Sequence, residues 1–233
     1  MVVLGCLVGF LVGEIVAGLF VGVGAAIAHF PGGFQGVAHA SEPPWWANAL
    51  SLVGLWSGFL GATLFAFGAG GLARIDAAWR VRLGDLRYVA LGVAGQLVVD
   101  ALYQPFHFTH LNQPVRHIFG ASHSIGFFVL ALMTTIGAPV AEEWFFRGVL
   151  YRALDEGLAR VMPRVATVAA IVVSAALFAL AHGEPLQFAG LALIGVVLAI
   201  LVRRTRRLMP SIITHVSFNA VAMAVLVAQR SGH

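Results

Sequence analysis

Lysine is absent from the sequence: all fourteen basic residues are arginine. Charge of either sign is scarce, at 10% of 233 residues, against about 25% in ordinary soluble domains. That scarcity excludes a conventional water-soluble fold. The single cysteine, Cys6, excludes an intramolecular disulfide. There is no HExxH motif, no glycine-rich phosphate loop, no heptad pattern, no internal repeat and no low-complexity tract. The start, "MVVLGCLVGFLVGEIVAGLF", carries no basic leader and no small-residue cleavage site. It reads as a first membrane helix that stays in place rather than a removed signal peptide.

What is present is apolar sequence, 60% of the chain. It falls in segments at 2–28, 48–72, 88–104, 122–157, 165–182, 186–202 and 208–228. Stretches of about 20 apolar residues can each cross a bilayer as a helix. The expected fold is therefore all-α: a polytopic membrane helix bundle of about seven to eight transmembrane helices. Residues 1–233 form a single integral membrane domain on this reading, since no hydrophilic module interrupts it. The segment 122–157 is expected to be interrupted at Gly137–Pro139, where proline would break the helix.

The arginines cluster in the joins. Arg74, Arg80, Arg82 and Arg87 precede the third segment, Arg152, Arg160 and Arg164 surround the fourth join, and "RRTRR" occupies 203–207. With the N-terminus cytoplasmic and seven crossings, all three joins fall inside, and only Arg116 and Arg230 fall outside. This is the positive-inside pattern. It accounts for the net charge of +4 through the lipid bilayer and not through nucleic acid. The lack of lysine and the abundance of Ala, Gly, Val and Arg point to a GC-rich bacterial genome, hence a bacterial plasma membrane.

Three polar groups lie inside apolar segments: "EEWFFR" (142–147), "FALAH" (178–182) and "HVSFN" (215–219). Ionisable residues in such positions mark either function or a helix-holding ion pair. Glu143 and Arg147 are four apart and share a helix face, in the favourable acid-before-base order. Glu142 points elsewhere, roughly 140° round the helix from Arg147. Arg147 is thus expected to hold Glu143, leaving Glu142 in a poorly solvated setting that suits a general base. His215 and Asn219 are also four apart, and both can donate hydrogen bonds to one point. An interhelical hydrogen-bonded contact is the alternative for that pair. If residues 158–164 are a hairpin turn, Glu142 and His182 lie roughly 24 Å and 27 Å from it, at matching depth. His215 fits less well, at roughly 12 Å from "RRTRR".

Together the three groups resemble the EExxxR, FxxxH and HxxxN motifs of the intramembrane CAAX protease and bacteriocin-processing family, which includes the type II CAAX prenyl endopeptidase. The resemblance covers residues 122–228, the motif-bearing catalytic core on this reading. It implies an intramembrane endopeptidase. Glu142 would activate water with help from His182, Glu143 and Arg147 would be the supporting pair, and His215 with Asn219 would stabilise the oxyanion. The implied partner is a protein or peptide substrate, membrane-associated or otherwise.

No cofactor is expected, because an HxxxN pair makes better sense as donors than as metal ligands. The alternative is a zinc-dependent protease using Glu142, His182 and His215. Other classes are a proton-coupled transporter, which the missing inverted repeats disfavour, and a non-catalytic membrane scaffold. His107, His110, His117 and His123 read as a solvated loop. Glu14 and Asp100 are left outside the catalytic set.

Overall fold

In the computed structural model of the chain, the structure describes residues 2–67, 80–106, 113–120 and 122–231. Among them nine helices form: α1 (Val2–Ile27), α2 (Gly33–Ala38), α3 (Trp45–Phe67), α4 (Arg87–Tyr103), α5 (Gln113–Phe119), α6 (124–159), α7 (Ala166–Ala181), α8 (Phe188–Thr205) and α9 (Met209–Ser231). No strand is present among the described residues. Among the described residues, six helical stretches are long and apolar enough to cross a membrane, and Ala166–Ala181 adds a shorter apolar helix. The chain is a polytopic helical membrane bundle. A closed backbone hydrogen-bond ladder is what lipid demands of a spanning segment.

Lipid also explains which side chains face out. Leu4, Leu7, Leu11, Ile15, Leu19 and Val23 of α1 are all exposed, whereas Gly5, Gly9, Gly13, Ala17 and Val21 are buried. Small residues turn inward because they let backbones approach, which drives helix association in membranes. A Cβ at Gly58 of α3 would overlap the backbone of Gly13, and one at Gly54 would overlap Ala17. The same device recurs where Gly92 of α4 meets the Thr214 carbonyl of α9, and where a Cβ at Gly195 of α8 would come within 3.1 Å of Ala175 of α7.

The expected interruption at Gly137–Pro139 does not occur. Ile125–Ala159 runs as one helical stretch of 35 residues. Instead, Met133–Gly137 is wound as a π-helix immediately before Pro139. The wider register absorbs the proline: the Ala138 amide bonds the Met133 carbonyl, five residues back, so the ring is accommodated without a break. A second π stretch spans Glu143–Leu150.

The arginine-bearing joins lie at one end of the bundle. Arg207 is paired with Asp85 and also donates to the Arg80 carbonyl. That pairing holds the Arg207 guanidinium even more firmly protonated than usual. Arg152, Arg203 and Arg206 line a common cavity at the same end. At the opposite end, Arg230 donates to the carbonyls of Phe119, Gly120 and Ser122, and Asn48 donates to the Ile118 carbonyl at 3.0 Å. Arg74, His107 and His110 lie outside the described residues.

Candidate active site

The site is built on α6 and α9, with α7 behind them. Glu143 and Arg147 are fully buried and joined at 2.8 Å, as their spacing requires. Arg147 also donates to the Gly195 carbonyl at 3.2 Å, and its guanidinium lies over the Phe178 ring, 4.3 Å from the centroid. Glu143 accepts two further hydrogen bonds from α9. One comes from Ser211, the other from Nδ1 of His215 at 3.2 Å. A buried carboxylate with three donors is satisfied. Its loss would leave Arg147 as an uncompensated charge, which costs about 3–5 kcal/mol in such settings.

Glu142 is different. Its side chain keeps 15% of its exposure, and among the described residues the basic group at ion-pair distance is His215, whose Nε2 lies 3.8 Å from Oε2. That is too long for a direct hydrogen bond. The imidazole of His215 therefore stands between two carboxylates. Because Glu143 can only accept, Nδ1 of His215 carries the hydrogen, and the ring presents Nε2 to Glu142.

Asn219 lies one turn beyond His215 on the same face of α9, and its Nδ2 donates to the Thr134 carbonyl at 2.9 Å. The reason is local to α6. The amide that would bond Thr134 in an α-helix belongs to Ala138, which bonds Met133 instead. The next residue is Pro139, which has no N–H. Thr134 is thus left with an orphan carbonyl inside the bundle, and Asn219 satisfies it. One of the two Nδ2 hydrogens is committed there.

His182 does not touch Glu142. It caps the end of α7 with an exposed ring, and its Nδ1 donates to the Phe178 carbonyl at 2.8 Å. In the neutral ring Nε2 is then a free lone pair. Phe178, itself fully buried, packs edge-on against both His182 (4.7 Å between centroids) and His215 (5.6 Å). Both imidazoles thus share one phenyl ring as a neighbour. The expected match in depth is off by about one helical turn. Ser174 donates to the Phe146 carbonyl, and Phe178 packs on the Phe146 ring. This sets Phe178, not His182, level with Glu142. The π stretch explains the offset, since its wider turns climb less per residue.

The depth of His215 also resolves. Arg206 shares a cavity with Arg152, so the turn between α8 and α9 is level with Arg152. It stops roughly two turns short of the α6–α7 turn. From that starting point His215 arrives beside Glu142 and Glu143.

Among the described residues, no three His, Cys, Asp or Glu side chains converge closely enough to hold a metal ion. The zinc set Glu142, His182 and His215 therefore does not form such a group. Ser211 and the Thr134 carbonyl are parts of the site that sequence reading did not name. Ser211, His215 and Asn219 form an i, i+4, i+8 stripe on α9, a signal the sequence does hold.

All six motif residues fall within 124–221, and that stretch matches a known family. The match is to the Rce1-like family. The family is described as type II CAAX prenyl endopeptidase Rce1-like, and the match indicates an intramembrane protease. No curated protein and no solved structure matches the chain. The Rce1-like stretch begins with α6 and ends within α9, so α1 to α5 lie outside it.

Proposed function

We propose that the chain hydrolyses a peptide bond of a protein or peptide substrate by means of a water activated by Glu142, without a metal. The observation that carries this reading is the unequal treatment of two adjacent carboxylates. Glu143 is consumed by Arg147, Ser211 and His215, while Glu142 stays partly exposed and unconsumed. Only a carboxylate with an open lone pair can take a proton from water.

The remaining groups have consistent tasks. Water held by Glu142 attacks the scissile carbonyl carbon, its proton passes to the Glu142 carboxylate, and the carbonyl oxygen becomes an oxyanion. His215 lies beside Glu142, and its Nδ1–H on Glu143 fixes the orientation of the ring. A second proton at Nε2 would let it donate to the oxyanion. Asn219 contributes the Nδ2 hydrogen not used by Thr134. His182, with Nε2 open, assists the water from the exposed side and would move about one turn to do so. Collapse of the tetrahedral centre releases the amine, protonated by Glu142.

The arginine-rich end is cytoplasmic by the positive-inside rule. This places the N-terminus inside and His182 towards the outer side of what we take to be a bacterial plasma membrane.

The test is cleavage of a bilayer-reconstituted peptide library by the wild-type chain and by Glu142→Gln, read by mass spectrometry of the products. New peptide termini should appear with the wild type and fall by about 10²–10⁴ in rate with the variant. Equal product from both would remove Glu142 from the mechanism. Cleavage stopped by a chelator and restored by zinc would replace the metal-free reading.

A further inference from the structure

At the arginine-rich end, away from Glu142, α6 and α8 enclose a cavity of about 310 Å³ lined by Tyr151, Arg152, Asp155, Glu156, Arg203 and Arg206, among others. Three guanidinium groups face two carboxylates there. One of the carboxylates, Asp155, is already engaged, accepting from the Thr167 hydroxyl at 2.8 Å. Among the described residues the ion pairs involve Arg147, Arg207 and His215, so no carboxylate neutralises Arg152, Arg203 or Arg206 at contact distance. With three guanidinium groups against two carboxylates the cavity keeps a net positive charge, which favours an anion.

A second observation is independent of charge. Tyr151 lines the same cavity and is 3% exposed. Its hydroxyl is buried with no hydrogen-bond partner, in a cavity that Arg152, Asp155, Arg203 and Arg206 also line. A buried hydroxyl without an acceptor is rare in folded chains. Here it is a donor waiting beside three cations. Arg206 is also held in the left-handed region, at φ 57°, which residues other than glycine seldom adopt. That turn places Arg206 beside Arg203 at the cavity.

The position narrows the ligand further. Arg203 and Arg206 sit at the end of α8, a helix of 18 residues, long enough to carry them to headgroup level. A cavity that joins basic side chains between helices at that level suits an anionic headgroup.

We propose that this cavity binds a phosphate group, with Arg152, Arg203 and Arg206 supplying charge-assisted contacts and the Tyr151 hydroxyl donating a hydrogen bond. The phosphate could be the phosphodiester of a phospholipid headgroup or free inorganic phosphate; both offer the same oxygens. The site does not depend on Glu142 or on proteolysis.

The experiment uses the full chain in detergent micelles and follows its melting temperature. Phosphatidylglycerol, phosphatidylcholine and inorganic phosphate are added separately to wild type, to Arg203→Gln/Arg206→Gln and to Tyr151→Phe. Phosphatidylglycerol should raise the wild-type melting temperature well beyond the effect of phosphatidylcholine, in a salt-sensitive manner. The double variant should bind roughly twentyfold more weakly, and Tyr151→Phe, which preserves packing, several-fold more weakly. If inorganic phosphate reproduces the whole shift, the site stands and its ligand is the soluble anion. A shift no larger with phosphatidylglycerol or phosphate than with phosphatidylcholine or chloride overturns the site. So does a phosphatidylglycerol shift that survives intact in the double variant.

Discussion

The pair α1–α3 and the pair α6–α9 solve the same problem by opposite means. Both must hold helices together in a solvent as apolar as the helices themselves. In α1–α3 the answer is shape: Gly9, Gly13, Ala17, Gly54, Gly58 and Ala62 bring the backbones into contact, with the large side chains turned out to lipid. In α6–α9 the answer is polarity: Ser211 and His215 of one helix bond Glu143 of the other, and Asn219 bonds Thr134. Close packing of small residues is chemically inert. A buried polar network has to be completed at every member. Once Glu143 is completed, its neighbour Glu142 becomes the one carboxylate of the pair still free to react. Structure and chemistry are thus divided between two consecutive residues.

The contrast can be broken at several points, with effects that decrease in this order. Removing the base by Glu142→Gln should lower peptide cleavage by about 10²–10⁴, while the melting temperature stays near that of the wild type. Replacing the buried cation by Arg147→Met strands Glu143 and should cost about 3–5 kcal/mol of stability, seen as loss of folded protein in denaturation of the reconstituted chain. Asn219→Ala should lower the turnover rate by about 10²–10³ if Asn219 holds the oxyanion. An effect on stability alone would show that its bond to Thr134 is its whole task. On the inert side, Gly58→Ala forces a methyl into the backbone of Gly13 and should cost about 1–3 kcal/mol. Turnover per folded molecule should be unchanged; a fall in that quantity would mean that α1–α3 belongs to the site after all.

Much of this arrangement was legible in the sequence because it depends on spacing. The i, i+4 relation of Glu143 with Arg147 fixed their pairing, and the relation of His215 with Asn219 fixed their common face. The arginine clusters located the ends of the bundle. What was not legible depends on tertiary compensation. Pro139 reads as a helix breaker, and it ceases to be one only because π winding and the distant Asn219 deal with the displaced carbonyls. The depth of His215 could not be reckoned without knowing that the α8–α9 turn stops level with Arg152. Nor could helix arithmetic place His182, because Glu143–Leu150 is not α-helical. The family match covers α6 to α9 alone, and α1 to α5 contribute packing whose meaning the sequence motifs do not touch.

The most direct measurement compares two single-atom changes in adjacent residues, Glu142→Gln and Glu143→Gln, for both melting temperature and single-turnover cleavage in the same membrane preparation. Glu142→Gln should abolish most cleavage and leave the melting temperature almost unmoved, whereas Glu143→Gln should depress the melting temperature sharply by orphaning Arg147. The reverse pattern, with Glu142→Gln unfolding the chain or cleaving normally, would contradict the division of labour between the two carboxylates.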